Sequence, residues 1–154
     1  MLEYEIRNIT QKSFAPYGVV IGHPVTQTDH FFKVLISEKN AGWRIAVFEI
    51  TRRESGVMEN HPRSMESFEP VSGTTLLFVA ENSTPQKLEV FLLDKPVCLY
   101  KGIWHQVITL SEYSQIKITE NDEVVSEFYY FDRPLTARIT EGTGHISGAG
   151  KNEQ

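Results

Sequence analysis

Apolar and polar positions in this chain alternate in short runs, and no long segment carries a helical stripe. Residues 17–21, 31–36, 43–50, 74–80, 88–93, 113–119 and 124–131 are rich in Val, Ile, Phe, Tyr and Thr. Such residues favour a pleated, half-buried strand. Turn formers separate the runs, among them Asn40-Ala41-Gly42, Ser72-Gly73, Asp94-Lys95-Pro96 and Asn121-Asp122. The run 74–80 is apolar on both faces, which predicts a central strand. One short helix is expected over 10–14, with Thr10 as its N-cap. Many short strands divided by regular turns predict an all-β sandwich or barrel. Phe128, Tyr129, Tyr130 and Phe131 crowd the last strand. They read either as core plus a lid or as a subunit interface, and aromatic enrichment favours the interface.

The chain has 154 residues, enough for one domain with a real core. Residues 1–140 are expected to form it. The stretch 141–154, with Gly142, Gly144, Gly148 and Gly150, reads as a flexible tail in which His145 is solvated. A formal net charge of −5 gives no electrostatic reason to expect nucleic acid or an anionic membrane as partner. Cys98 is the one cysteine, so no intrachain disulfide can form, which fits a reducing compartment. Residues 1–10 carry Glu3, Glu5 and Arg7 and lack the apolar core of a signal peptide. The longest apolar run, 76–80, is far too short to span a bilayer. The expectation is a soluble, cytoplasmic protein.

Candidate chemistry gathers in two separated segments, Glu59-Asn60-His61-Pro62-Arg63-Ser64-Met65-Glu66 and Gly102-Ile103-Trp104-His105. Glu59 and His61 are two apart, so on a strand both leave the same face. Pro62 biases His61 toward an extended backbone. Gly73 and Gly102 permit tight turns. Imidazole nitrogens and carboxylate oxygens around one point suit a divalent transition metal. Trp104 reads as core packing beside this site.

Gly56, His61, Glu66 and Gly73 resemble the first conserved block of the cupin superfamily, with Glu59 where its first histidine stands. Gly102 and His105 are similar to its second block. The resemblance implies a single cupin-type jelly-roll β-barrel with the cluster at its mouth. Within the cupins, three stretches resemble the ureidoglycolate lyase family. They are Phe14-Ala15-Pro16-Tyr17-Gly18-Val19-Val20-Ile21, Met58-Glu59-Asn60-His61-Pro62 with Phe68-Glu69-Pro70, and Gly102-Ile103-Trp104-His105. The chain departs from that family at Glu66, where Gln is usual, at Gln106, where a second histidine is usual, and at Leu99, where tyrosine is usual.

The resemblance implies cleavage of a C–N bond in ureidoglycolate, releasing urea and glyoxylate, in a homodimer that binds a small anionic substrate. His61, Glu66 and His105 would hold a divalent metal, by resemblance nickel, with zinc, manganese and iron left open. Glu59 would be a fourth ligand or the base that takes the hydroxyl proton. Lys101 or Arg52 would hold the substrate carboxylate. Two other readings remain open at this point. One is a different metal-dependent cupin enzyme, an isomerase, decarboxylase or dioxygenase, and the other is a non-catalytic small-molecule-binding cupin.

Overall fold

Strand after strand, alternation sets which side chains meet. The computed structural model describes residues 3–22 and 32–137. Their elements run β1 (Ile6–Asn8), α1 (Gln11–Phe14), β2 (Gly18–Val20), β3 (Trp43–Ile50), β4 (Glu54–Asn60) and β5 (Glu66–Ser72). They continue with β6 (Thr75–Ala80), β7 (Glu89–Leu92), β8 (Val97–Leu99), β9 (Trp104–Thr109), β10 (Ser114–Asn121) and β11 (Glu127–Thr136). One sheet has the order β1-β7-β6-β9-β4-β11, the other β2-β8-β5-β10-β3. All pairings are antiparallel except that of β1 with β7.

The main core lies between the sheets. Leu77, Val79, Phe91 and Val107 come from the first, and Phe68, Val97, Leu99, Ile116 and Ile118 from the second. On β10, Ser114, Ile116 and Ile118 are buried while Gln115, Lys117 and Thr119 are not, the alternation of a strand with one face inward. Every residue of β6 is buried, as its two apolar faces predict. Its second face meets a further apolar cluster, where Leu76, Phe78, Met58, Trp104 and Ile108 are covered by Tyr129, Phe131 and Leu135 of β11. The aromatic strand is thus divided. Tyr129 and Phe131 pack, whereas Phe128 and Tyr130 are exposed.

The short helix sits as expected. Thr10 Oγ1 accepts from the Ser13 amide and Ser13 Oγ accepts from the Thr10 amide, each at 3.0 Å, a reciprocal cap. The strand expected over 31–36 is a correction, because residues 32–38 pair with no strand among the described residues. Phe32 and Val34 are exposed there, so β-branched and aromatic composition did not find a partner. The Gly-rich stretch 141–154 and the end of the domain expected at 140 lie outside the described residues.

No strand of one sheet is hydrogen-bonded to the other among the described residues, so the observed architecture is an all-β sandwich with one short helix. Its edge strands β3 and β11 leave inward-facing positions uncovered. Ala46 lies opposite the core residue Ile118, and Phe128 lies opposite Glu59, so both belong to inward faces. Both are nevertheless exposed.

Candidate metal centre

Three strand ends and one turn deliver four side chains to one end of the sandwich interior. His105 is paired with the core residue Val79 on one side and Glu59 on the other, which turns both functional side chains inward. His61 follows Glu59 by two and leaves the same face. Glu66 opens β5 two residues before the core residue Phe68 and faces them from the opposite sheet. The two sequence blocks are tied directly, since the Gly102 amide donates to the His61 carbonyl at 2.9 Å. Gly102 has φ +77°, a left-handed conformation that favours glycine. Asn82 Nδ2 donates to the Gly102 carbonyl at 3.0 Å, and Trp104 Nε1 donates to the Asn82 carbonyl at 2.9 Å. Trp104 itself is buried in the second apolar cluster and serves as packing.

Glu66 Oε2 lies 3.2 Å from His61 Nε2 and 2.9 Å from His105 Nε2, with all three side chains buried. The far ring nitrogens face backbone carbonyls. His105 Nδ1 is 2.9 Å from the Ile103 oxygen, and His61 Nδ1 is 3.3 Å from the Val125 oxygen and 3.2 Å from Ser126 Oγ. A carbonyl only accepts, so each Nδ1 carries a hydrogen and Nε2 is the ring atom turned toward Glu66. Both Nε2 atoms therefore converge on one carboxylate oxygen. Despite their closeness, neither His105 Nε2 nor Glu66 Oε2 makes a directed hydrogen bond. Negative and lone-pair atoms collected in a buried place need a cation between them.

The titration behaviour agrees. Burial is the largest influence on Glu66 and opposes its ionisation. The charge of His105 and the close approach of both histidines outweigh burial and hold the carboxyl down at about 2. For His105, burial alone would favour the neutral ring, but the charge and proximity of Glu66, the Ile103 carbonyl and Glu59 raise its pKa. Without a metal the cluster holds a proton where a metal could bind. The donor set also fits a divalent ion, because atoms of Glu59, His61 and His105 lie within 4.8 Å of one another. The Nδ1–carbonyl contacts are the outer support that metal-binding histidines use to fix ring orientation.

Lys101, expected to hold a substrate carboxylate, lies in the β8–β9 loop and is bonded to Glu38 at the surface. Arg52 stacks on Phe48, with its guanidinium 5.8 Å from the ring centre. The three departures from the resembling pattern separate by position. Glu66 is in the cluster, and Leu99 is its buried cross-strand neighbour. Gln106 points to the opposite face and donates to the Val57 carbonyl at 2.9 Å, away from the cluster.

Sequence reasoning missed Glu120 and Arg44. Glu120 is the other cross-strand neighbour of Glu66, and its carboxylate lies within 4.8 Å of ligand atoms of His61 and Glu66. Arg44 is paired with Glu120 in turn, with Nε and Nη2 at 2.8 and 2.7 Å from Glu120 Oε1. One signal was available. Ile116, Ile118 and Glu120 share a face by twos, so an inward carboxylate ended that apolar stripe.

Residues 1–136 match the family described as Ureidoglycolate lyase, and the chain belongs to that family. It is 26% identical to a ureidoglycolate lyase of Rhizobium etli, covering 87% of this chain and 95% of that one. It is 27% identical to a ureidoglycolate lyase of Agrobacterium fabrum, covering 85% of this chain and 93% of that one. Among solved structures, a dTDP sugar isomerase from Desulfovibrio desulfuricans G20 aligns over 79% of each chain, at 12% identity and a TM-score of 0.44. Among the described residues no helix is long and apolar enough to cross a membrane.

Proposed function

We propose that this chain is a ureidoglycolate lyase, cleaving the C–N bond of ureidoglycolate to give urea and glyoxylate. One observation carries the reading beyond family membership. Two anchored histidines direct their free Nε2 atoms at one buried carboxylate oxygen, beside a half-buried second carboxylate. His61, His105 and Glu66 would hold a divalent ion, nickel by family resemblance. When bound, that ion supplies positive charge that lowers the pKa of the substrate hydroxyl and stabilises the alkoxide.

The remaining work belongs to the chain. Glu59 is less buried than the three proposed ligands and lies on the interior face opposite the exposed Phe128. In this reading its carboxylate takes the hydroxyl proton. As the carbonyl of glyoxylate forms, the C–N bond breaks, and the departing ureido nitrogen takes up the proton that Glu59 removed, so the proton count balances. The buried histidines and Phe68 keep bulk water from the ligand side.

The reading extends to a cupin-type jelly-roll barrel, a cytoplasmic location and a homodimer. Exposed Phe128 and Tyr130 on β11 support a second copy as the partner. Elemental analysis of the purified protein, followed by a urea-release assay with and without the recovered metal, tests the function. His61→Ala should abolish urea release while leaving the far-ultraviolet circular dichroism unchanged. Unaltered turnover in that variant would end the assignment.

A further inference from the structure

Across the second sheet runs one inward-facing row: Arg44 on β3, Glu120 on β10, Glu66 on β5. Adjacent strands are about 5 Å apart, so the Arg44 backbone stands about 10 Å from that of the proposed ligand Glu66. An extended arginine spans much of that gap. Its side chain is half exposed. Two of its N–H donors go to a single oxygen of Glu120. A guanidinium has five donors in a fixed fork, so donors remain for a second planar carboxylate.

Several other cations are engaged elsewhere. Lys101 is bonded to Glu38, Lys117 to Glu69 on the outer face, and Arg53 to the Ser111 carbonyl. The Arg52 carbonyl accepts from the amide of Thr109, four residues beyond His105 on β9, about 13 Å along that strand. Charge also matters here. Glu59, Glu66 and Glu120 together exceed a divalent ion by one negative charge, and Arg44 cancels it. An anionic substrate then approaches a neutral site rather than a repelling one.

We propose that Arg44 is the specificity-determining residue of this site, its guanidinium taking the substrate carboxylate while Glu120 holds it in the row. The inference rests on the proposed function, which supplies the carboxylate. It is tested by kinetics and by binding together. Arg44→Gln should raise KM for ureidoglycolate about 10- to 100-fold and change kcat by less than about threefold, the pattern for a lost ionic hydrogen bond in binding. Metal content and melting temperature should stay at the wild-type values, which a merely structural partner of Glu120 would not allow. Arg44→Lys should recover part of the loss, and Lys117→Gln, on the outer face, should match wild type.

Calorimetry with glycolate and with glycolamide, which keeps the hydroxyl but lacks the carboxylate, gives the second readout. The wild-type protein should prefer glycolate, and Arg44→Gln should erase that preference. If wild type releases no urea yet shows an Arg44-dependent preference, the lyase reading falls and the role of Arg44 stands. If wild type shows no preference for glycolate, or Arg44→Gln keeps both it and the wild-type KM, the proposal is overturned.

Discussion

Position, more than residue type, separates the two carboxylates of the proposed centre. Glu66 is buried against both histidines, whereas Glu59 is only half-buried and stands across from Phe128. The first therefore suits a ligand and the second a proton acceptor. Glu59→Gln should keep the metal and lower the rate of urea release by about 10²- to 10⁴-fold, the usual share of a general base. Loss of metal in that variant would instead make Glu59 a ligand. Cys98 offers an independent check on burial. Its thiol, buried on the other face of the second sheet beside Ser67, is pushed up to about 11, first by burial and then by the Glu66 charge. At pH 8 almost none of it is thiolate, so iodoacetamide should alkylate the native protein roughly 100-fold more slowly than the denatured one. Equal rates would mean that β8 opens freely or that this thiol is not shielded.

Local devices join these residues, and their legibility differs from element to element. Gly102 links the two blocks through the His61 carbonyl at φ +77°, and a Cβ there would stand 3.0 Å from Asn82 Nδ2. Gly102→Ala should cost about 1–3 kcal/mol of stability, read from a urea unfolding midpoint, because the left-handed conformation strains any residue with a Cβ. It should also lower metal affinity by moving His105, and a variant as stable as wild type would contradict this. Gly102 and the two-residue spacing of Glu59 and His61 were readable because they are local, period-two facts. Long alternating runs such as 43–50 and 113–119 were readable for the same reason and became β3 and β10. The strand expected over 31–36 failed because strand composition needs a partner that the sequence does not display. β8 has only three residues, too few to show a period, and the site-bearing β4 and β9 carry mixed polar residues, which hides their alternation. Arg44 and Glu120 meet across 76 positions of sequence, and only the β3–β10 register brings them together.

At the scale of the whole molecule, folding and the site are joined through the same buried charges. His105 bridges the sheets, paired with β6 and β4 in one and touching Glu66 of the other. In metal-free protein that link is an ion pair, and its pH limits follow from the two shifts. His105 is raised above its ordinary 6.5, so the stability it adds is fully present below about 6.5 and is lost as pH rises through its folded pKa. Glu66 is lowered from 4.5 to about 2, so its share is present above 4.5 and is lost as pH falls toward 2. These are two faces of one interaction, not two separate gains. A divalent ion in the same place supplies the positive charge without a proton, and it favours neutral rings. Chelator-treated protein should therefore unfold at lower urea concentration at pH 9 than at pH 6. Added nickel should raise the pH 9 midpoint more than the pH 6 midpoint, because protons compete for the nitrogens at the lower pH. The His105→Gln variant should lose both the pH 6 to 9 difference and the response to nickel. If chelated wild-type protein has the same midpoint at both pH values and nickel moves neither, the buried cluster holds no exchangeable cation, and the metal centre must be sought elsewhere in the chain.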